Sequence, residues 1–387
     1  MLPSLARPAL VAITSLLVSP LLSGVSALVT NRATTCNGYS ELCEKSYGGV
    51  TFVGAHNSYA VGVDGLFFNQ DQDVTTQLND GIRLLQMQAH NKTGVINLCH
   101  SSCDLFDGGT LEDYLKKGLS PLTPLAVPSY SPISSHTVKG WLDSNPNEVL
   151  TLLIVNINNL PASAFDAVFK SVGLDQVSYS PEQASLPASG WPTLGSLIDS
   201  GKRLLTFLDN GADTSSVPYL IDEFTNIWET EFSVTDISRF DCSVNRTKGD
   251  ASTQMFMINH SLNKLIFNQP APAPELANVT NAASGAGSLG AHVDACRSSV
   301  SRAPNFLLVD FYEFGGGSVF QVAADANGVP YNNKAVATPL PTTTASGSSP
   351  SSASNFARSV VLMSTSDSRL SSVAVLCGLL IGVLAVL

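Results

Sequence analysis

Eight short runs of large apolar residues, spread along the middle of the chain, limit its possible folds more than any other feature. They are Thr51–Val53, Ile82–Ala89, Val95–Cys99, Val149–Asn156, Arg203–Leu208, Asn226–Phe232, Met255–Asn259 and Phe306–Phe311. Several, such as Leu150–Val155 and Leu307–Val309, do not alternate with polar residues. That is the pattern of strands buried on both faces. Helical patterns fall between many of them. Thr110 offers a cap to Leu111-Glu112-Asp113-Tyr114-Leu115, and Ser134–Leu142, Ala162–Val172 and Leu289–Val300 carry apolar residues at helical spacing. Strands alternating with helices predict an α/β fold, a TIM-type (β/α)8 barrel in regular or distorted form. An open doubly wound sheet is the alternative. No Gly-x-Gly-x-x-Gly follows the first strand, which argues against dinucleotide binding.

The ends of the chain read as targeting segments. Arg7, an apolar stretch from Ala9 to about Val25, and the small-residue site Val25-Ser26-Ala27 make residues 1–27 a secretory signal peptide. An uncleaved anchor is the rival, opposed by Pro20 and Gly24. Residues 366–387 end in the apolar run Ser372–Leu387, after Ser364, Thr365, Asp367 and Arg369. That order is the one of a glycosylphosphatidylinositol (GPI) attachment signal. The run is shorter than the about 20 residues of a bilayer span, although a plain tail anchor stays as the alternative. Ser364 and the serines between Ser348 and Ser354 are all candidate attachment points. Residues 336–365, with PLPTTTASGSSPSSAS from Pro339, lack apolar periodicity and read as a stalk. Residues 28–335 remain as one domain of barrel size.

Cysteine usage fits an oxidising compartment. Of seven cysteines, Cys377 lies in the tail, which leaves six in the domain and stalk. Spacing does not fix their connectivity. Pairing of neighbours along the chain gives Cys36–Cys43, Cys99–Cys103 and Cys242–Cys296. No C-x₂-C spacing supports zinc. Four sequons, at Asn91, Asn245, Asn259 and Asn278, suit the same route, with Asn259 the least accessible at a strand end. The net charge is −11 and only 13% of residues are charged. Without a basic run, neither nucleic acid nor an anionic membrane surface is an expected partner.

In a barrel of this kind the chemistry sits at the carboxyl ends of the strands. Residues there include His56, Gln88, His100, Asn156, Asp209, His260 and Asp310, with His90 close by but outside its strand. His56 and His100 each end an apolar run, so two imidazoles can face one space, one taking a proton and one giving it. His136 and His292 fall in helical patterns and are expected at the surface, and His260 is expected to be structural. Asp209 can serve as a site carboxylate or as a turn residue before Asn210-Gly211. Arg83 is expected to pack behind the barrel.

Six segments stand in a telling order. They are Gly54-Ala55-His56-Asn57-Ser58-Tyr59, Gly81 to Gln88, Leu98-Cys99-His100, Leu111-Glu112-Asp113-Tyr114-Leu115, Trp141 to Val149, and Leu307-Leu308-Val309-Asp310-Phe311. Over about 50–315 the chain resembles the phosphatidylinositol-specific phospholipase C X-domain group of the PLC-like phosphodiesterase superfamily. The resemblance implies His56 as general base for the inositol 2-hydroxyl, His100 as general acid for the leaving oxygen, and Asp310 as orienter of His56. Asn57 matches a family position beside the phosphate. Gln86 and Gln88 depart from the pattern: the family carries an Asp there and, two places later, an arginine or a calcium-binding carboxylate. Asn156 is polar where a basic residue is usual.

The resemblance therefore implies a secreted, GPI-anchored phosphodiesterase at the cell surface, acting on a phospholipid or glycosyl-phosphoinositol. His56, His100 and Asp310 would be catalytic, with Asn57, Gln86, Gln88, Asn156 and Asp209 around phosphate and substrate. No cofactor and no metal are expected, and a monomer is. Two alternatives stay open. One is a catalytically weak barrel that binds a phosphorylated lipid or sugar. The other is a metal-dependent glycerophosphodiesterase or sphingomyelinase D type, which would need carboxylates where the glutamines stand.

Overall fold

The computed structural model describes residues 32–63, 65–116 and 138–341, and within them twelve strands. These are β1 Phe52–Ala55, β2 Leu84–Lys92, β3 Val95–Cys99, β4 Asp107–Thr110, β5 Leu150–Asn156, β6 Leu204–Leu208, β7 Leu220–Asp222, β8 Ile227–Glu229, β9 Met255–His260, β10 Asn263–Ile266, β11 Gln269–Pro272 and β12 Phe306–Val309. Eight of them run parallel in the order β7-β6-β5-β2-β1-β12-β9-β8. They curl into a distorted barrel of the TIM type. No ladder joins β7 to β8, so the barrel has a seam there. The segment after β8 covers the seam: Glu229 N donates to Arg246 O, and Lys248 N donates to Phe224 O at 2.7 Å.

Burial on both strand faces explains the unbroken apolar runs. Phe52, Leu84, Leu153, Phe207, Met257 and Phe306 point inward and make one core. Their neighbours Val53, Leu85, Leu152, Leu208, Phe256 and Leu307 point outward and pack under the helices. At the amino end, Tyr47 plugs the barrel. Its ring lies 5.2 Å from that of Phe52 and 5.4 Å from that of Trp191, and its hydroxyl meets Thr151 Oγ1 at 2.7 Å. The carboxyl end, by contrast, is open and polar.

Seven of the eight expected runs hold barrel strands; Val95–Cys99 does not. β3 pairs antiparallel with β2 and β4, because β2 runs three residues, His90 to Lys92, beyond its pairing with β5 and folds back as a hairpin. The missing barrel strand is β7, three residues long and followed at once by the helix Glu223–Asn226. Such a short run gives no periodic signal. His90 was expected outside its strand but lies within β2.

The three disulfides are Cys36–Cys43, Cys99–Cys103 and Cys242–Cys296, as neighbour pairing anticipates. The body also runs past the expected boundary at 335. Ala337 N donates to Asp80 Oδ2 at 2.9 Å, Gln72 Nε2 to Thr338 O at 2.9 Å, and Leu340 N to Asp71 Oδ2 at 2.6 Å. The segments expected as signal peptide, remaining stalk and attachment signal, and also His136, lie outside the described residues.

The interior packing has a measurable consequence. Phe207→Ala removes a fully buried ring from the barrel interior. It should cost about 3–5 kcal/mol in denaturant unfolding with the fold retained; a loss below about 1 kcal/mol would mean that the interior is not packed at this layer.

Candidate active site

The parallel pairing of β1 with β12 places their carboxyl ends side by side, with Ala55 opposite Val309. The next residues, His56 and Asp310, therefore meet across 254 positions of sequence: His56 Nδ1 donates to Asp310 Oδ1 at 2.8 Å. Asn69 Nδ2 donates to the same carboxylate at 3.1 and 3.2 Å, so the aspartate is held on both oxygens. Gln70 staples the two strand ends, its Nε2 donating to His56 O and Val309 O. With its proton on Nδ1, His56 keeps Nε2 as an acceptor, and Asn57 Nδ2 approaches it at 3.2 Å.

His100 follows β3, inside the short loop that the Cys99–Cys103 bridge closes. Its ring lies 5.9 Å from that of Phe67. Burial first, and then the neighbouring His56, pushes its pKa down to about 4. The charge of His56 is felt at His100, so the two rings share one neighbourhood.

Each of these three side chains is followed at once by a non-glycine residue in left-handed backbone. These are Asn57 at φ 41°, Ser101 at φ 62° and Phe311 at φ 47°. For a phenylalanine this conformation is a costly outlier. It ends the strand directly after the candidate residue. Asn281 supports the turn after Asp310, its Nδ2 donating to Asp310 O at 2.9 Å and Phe311 O at 2.8 Å.

The glutamines of β2 serve the same turns. Gln86 Oε1 accepts from Asn57 N at 2.7 Å, and Gln88 Oε1 accepts from Ser101 N at 3.2 Å. Each carbonyl thus grips the residue directly after one histidine. An arginine at either place has no acceptor to offer.

Other expected site residues are placed differently. Asn156 points away from the barrel interior and spends its side chain on its own turn: Oδ1 accepts from Leu160 N and Nδ2 donates to Leu160 O. Asp209 ends β6 before its turn, accepting from Asn210 Nδ2 at 2.9 Å and from Asn156 N of the neighbouring strand at 2.7 Å, and it faces inward, where burial raises its pKa. Arg83 packs behind the barrel as expected, bonded to Glu148 at 2.8 Å and lying over Trp141.

Sequence reasoning missed the cluster beside the seam. Glu223 and Glu229 are fully buried, and burial pushes both carboxyls up. Arg246 pairs with Glu229 at 2.5 Å and lies over the rings of Phe224 and Phe232, while Asn259 Nδ2 donates to Glu229 at 2.6 Å. These residues carried no signal because β7 was unrecognised and Arg246 sits in an irregular loop. The same bond keeps Asn259 from serving as a glycan acceptor, whereas Asn91, Asn245 and Asn278 are exposed.

His292 corrects an expectation: it is buried, not at the surface. The seam-covering loop and the β9–helix connection enclose it. Its Nδ1 meets His260 Nδ1 at 2.9 Å, its Nε2 meets Asp241 O, and His260 Nε2 meets Thr280 O. Cys242, His292 and Cys296 form a group whose ligand atoms lie within 4.8 Å, but the two sulfurs there are bonded to each other.

Comparison with known proteins fits this architecture. The PI-PLC X 1 family model matches residues 42–120 and 133–327, and the chain belongs to that family. It is 47% identical over 309 residues to an uncharacterized secreted protein of Arthroderma benhamiae, covering 77% of this chain and 65% of that one, so it spans less than two thirds of that relative. It is 43% identical over 308 residues to the PI-PLC X domain-containing protein 1 of the same organism, covering 79% of this chain and 93% of that one. Among solved structures, the phosphatidylinositol-specific phospholipase C of Listeria monocytogenes superposes with a TM-score of 0.47 at 15% identity, covering 73% of this chain and 95% of the other.

The buried histidine pair sets a pH dependence of stability. Burial, followed by His292, holds His260 at about 3 in the fold, against about 6.5 when unfolded. The unfolded chain therefore binds the proton first. The stability involved is present above about pH 6.5 and is lost as pH falls toward the folded value. Melting temperature should drop between pH 7 and 5, and drop less in His260→Gln; equal slopes would show that the pair does not titrate on unfolding.

Proposed function

We propose that the protein is a phosphodiester-cleaving enzyme of the phospholipase C type, acting at the cell surface on a phospholipid or a glycosyl-phosphoinositol. The observation that carries this reading is the His56–Asp310 bond at 2.8 Å, which keeps the proton on Nδ1 and leaves Nε2 an acceptor, contacted by Asn57 Nδ2 at 3.2 Å, beside a second imidazole. In the reaction, His56 Nε2 takes the proton of the attacking hydroxyl, the inositol 2-hydroxyl in the family the chain resembles. That oxygen bonds to phosphorus, the bond to the leaving oxygen breaks, and His100 gives that oxygen its proton. The product is a cyclic phosphate. Asp310 stabilises the imidazolium formed at His56.

Gln86 and Gln88 supply neutral amide donors toward the phosphate, and Asn57, whose Nδ2 meets His56 Nε2 and Asn69 Oδ1, lies beside it. Asp209 and Asn156 shape the far rim, Asn156 through its turn. His100 must carry a proton to act, yet in the empty site it is held low. A diester anion beside it favours the charged ring, so substrate itself arms the acid. The reading extends to the chain ends: a signal peptide over 1–27, a stalk to 365 and a GPI signal over 366–387 would hold a monomer at the plasma membrane or cell wall.

A second reading is a barrel that binds phosphorylated headgroups without cleaving them. It is favoured by the absence of charge at Gln86 and Gln88, whose carbonyls are committed to backbone N–H groups. An arginine or metal normally meets the charge that builds on phosphorus.

Assays of the purified protein on phosphatidylinositol and on glycosyl-phosphoinositol separate the two. Cleavage should survive a chelator, and His56→Ala and His100→Ala should each lower kcat/KM roughly 10²–10⁴-fold. If the wild type is as inactive as both variants on every diester tried, the enzymatic reading is lost.

The depressed pKa of His100 also predicts a pH profile. In the free enzyme the protonated acid is depleted above about pH 4, while the base must be unprotonated, so kcat/KM should fall with rising pH once His56 has lost its proton, and this descending limb should vanish in His100→Ala. A descending limb that persists unchanged in His100→Ala would remove His100 from the role of acid.

A further inference from the structure

Glu313 is fully buried, and no donor from another residue reaches either of its carboxyl oxygens. The group within hydrogen-bond reach is a second buried carboxyl, that of Asp71, whose Oδ1 also lacks a donor. Two charged carboxylates in such contact repel strongly, and burial takes away the water that would screen them. Among the described residues no basic side chain pairs with either one. Lys264 lines the same cleft as Asp71 but pairs with Glu275 at 2.8 Å, and Lys334 is bonded to Asn79 O.

One proton resolves the contact, and the surroundings choose where it rests. Asp71 Oδ2 accepts from Leu340 N at 2.6 Å, a bond that favours the charged form there. Glu313 has no comparable donor. Burial first, then the contact with Asp71, and last the charge of Asp80, push its pKa up to about 10. Asp80 is tied to the same region, accepting from Tyr312 O–H at 2.7 Å and from Ala337 N at 2.9 Å. A protonated Glu313 supplies the donor that Asp71 Oδ1 lacks.

The pair lies directly behind His56 and Asp310. Asp310, Phe311 and Tyr312 lead into Glu313, and Asn69 and Gln70 lead into Asp71. Bonds join the two segments like rungs. Gln70 Nε2 donates to Val309 O, Asn69 Nδ2 to the Asp310 carboxylate, and Phe311 N to Asn69 O at 2.9 Å. Phe311 sits in left-handed backbone, a conformation that persists only with support from its neighbours. The contact of Asp71 with Glu313 is the last rung. With both carboxyls charged it would push apart the segments that the other rungs draw together.

We infer that Glu313 is a positioning residue: it shares one proton with Asp71, and the O–H bond so formed clamps the segment carrying Asn69 to the segment carrying Asp310, which keeps the Asp310 carboxylate on His56. The same clamp fastens the end of the body, since the other oxygen of Asp71 holds Leu340 N and Gln72 Nε2 holds Thr338 O. The inference rests on the role proposed above for Asp310, but its tests read protons and need no turnover.

Glu313→Gln keeps a donor facing Asp71 but cannot ionise, whereas Glu313→Leu removes the donor. At about pH 8, far above the ordinary glutamate pKa, the infrared difference between the full-length wild type and Glu313→Gln should contain the C=O band of a protonated carboxylic acid. Carboxylate bands alone would overturn the inference. Stability gives a second reading. The fold keeps a proton on Glu313 that the unfolded chain releases above about pH 4.3, so wild-type stability falls as pH rises toward the folded value. Glu313→Gln escapes this loss, and its melting temperature should gain on the wild type steadily from about pH 5 to about pH 9. Titrations common to both proteins, that of His260 included, cancel in the difference. A difference that does not change with pH would show Glu313 ionised in the fold. A chelator that lowers the melting temperature of the wild type but not of Glu313→Gln would put a metal cation in place of the proton. Either result overturns the inference. The positioning role is read from the Nδ1 proton of His56, assigned in the NMR spectrum by its loss in His56→Ala. It should exchange with water as slowly in Glu313→Gln as in the wild type, and faster in Glu313→Leu and Asp71→Ala. Equal exchange in all the folded variants would remove the role. A protein that meets these expectations and cleaves no diester would keep the clamp and lose only the enzymatic reading.

Discussion

The candidate site depends on two hydrogen bonds from backbone to side chain across β2. Gln86 holds the amide after His56, and Gln88 holds the amide after His100. β2 is the strand that can do this, because it lies beside β1 on one edge and extends beyond the barrel to pair with β3. Residues 86 and 88 point to the same face, two positions apart, so one strand reaches both histidine turns. The turns are strained by left-handed backbone at Asn57 and Ser101. Strain of this kind persists only where neighbouring groups over-determine the conformation, and the glutamine carbonyls are part of that restraint. The Cys99–Cys103 bridge adds a second restraint on the His100 side.

Other polar groups of the barrel mouth come at a cost in stability. Glu223 is buried with one carboxyl oxygen unpartnered, and Glu229 depends on Arg246 and Asn259. Removing Arg246 would leave a buried carboxylate alone, which is expensive, whereas the pair itself adds little net stability over an apolar replacement. The cluster sits where the sheet fails to close. Chain from the β8–β9 connection fills that gap, and its backbone bonds to Glu229 and Phe224 substitute for a missing ladder. The seam is therefore held by polar contacts, while the rest of the wall is held by strand pairing and the apolar interior under Tyr47.

Much of this was legible in the sequence, for physical reasons that can be named. Strands buried on both faces leave unbroken apolar runs, so seven barrel strands could be located. The resemblance paired His56 with Asp310 across the chain, and the adjacency of first and last strands in a barrel, β1 and β12, is what lets them meet. The hairpin β3 misled because an apolar run shows burial but not direction; Val95–Cys99 is as apolar as a barrel strand. β7 was invisible at three residues. His292 was misjudged because helical spacing does not tell which loop covers a helix, here the segment with Phe240 and Asp241. The roles of Gln86 and Gln88 were read from missing charge alone. That they accept from backbone N–H groups is a property of loop conformation, which residue identity does not encode.

Neutral glutamines also alter how charge is managed in the proposed reaction. A site with an arginine on β2 would hold a diester anion before any proton moves. Here the cation nearest the reacting groups has to be an imidazolium. Burial keeps His100 unprotonated in the empty site, and the incoming anion is what reverses that preference. Anion and proton therefore bind together, each raising the affinity for the other by the same factor. The neutral glutamines thus leave a mouth that acquires its catalytic charge only when a phosphodiester enters the proposed site.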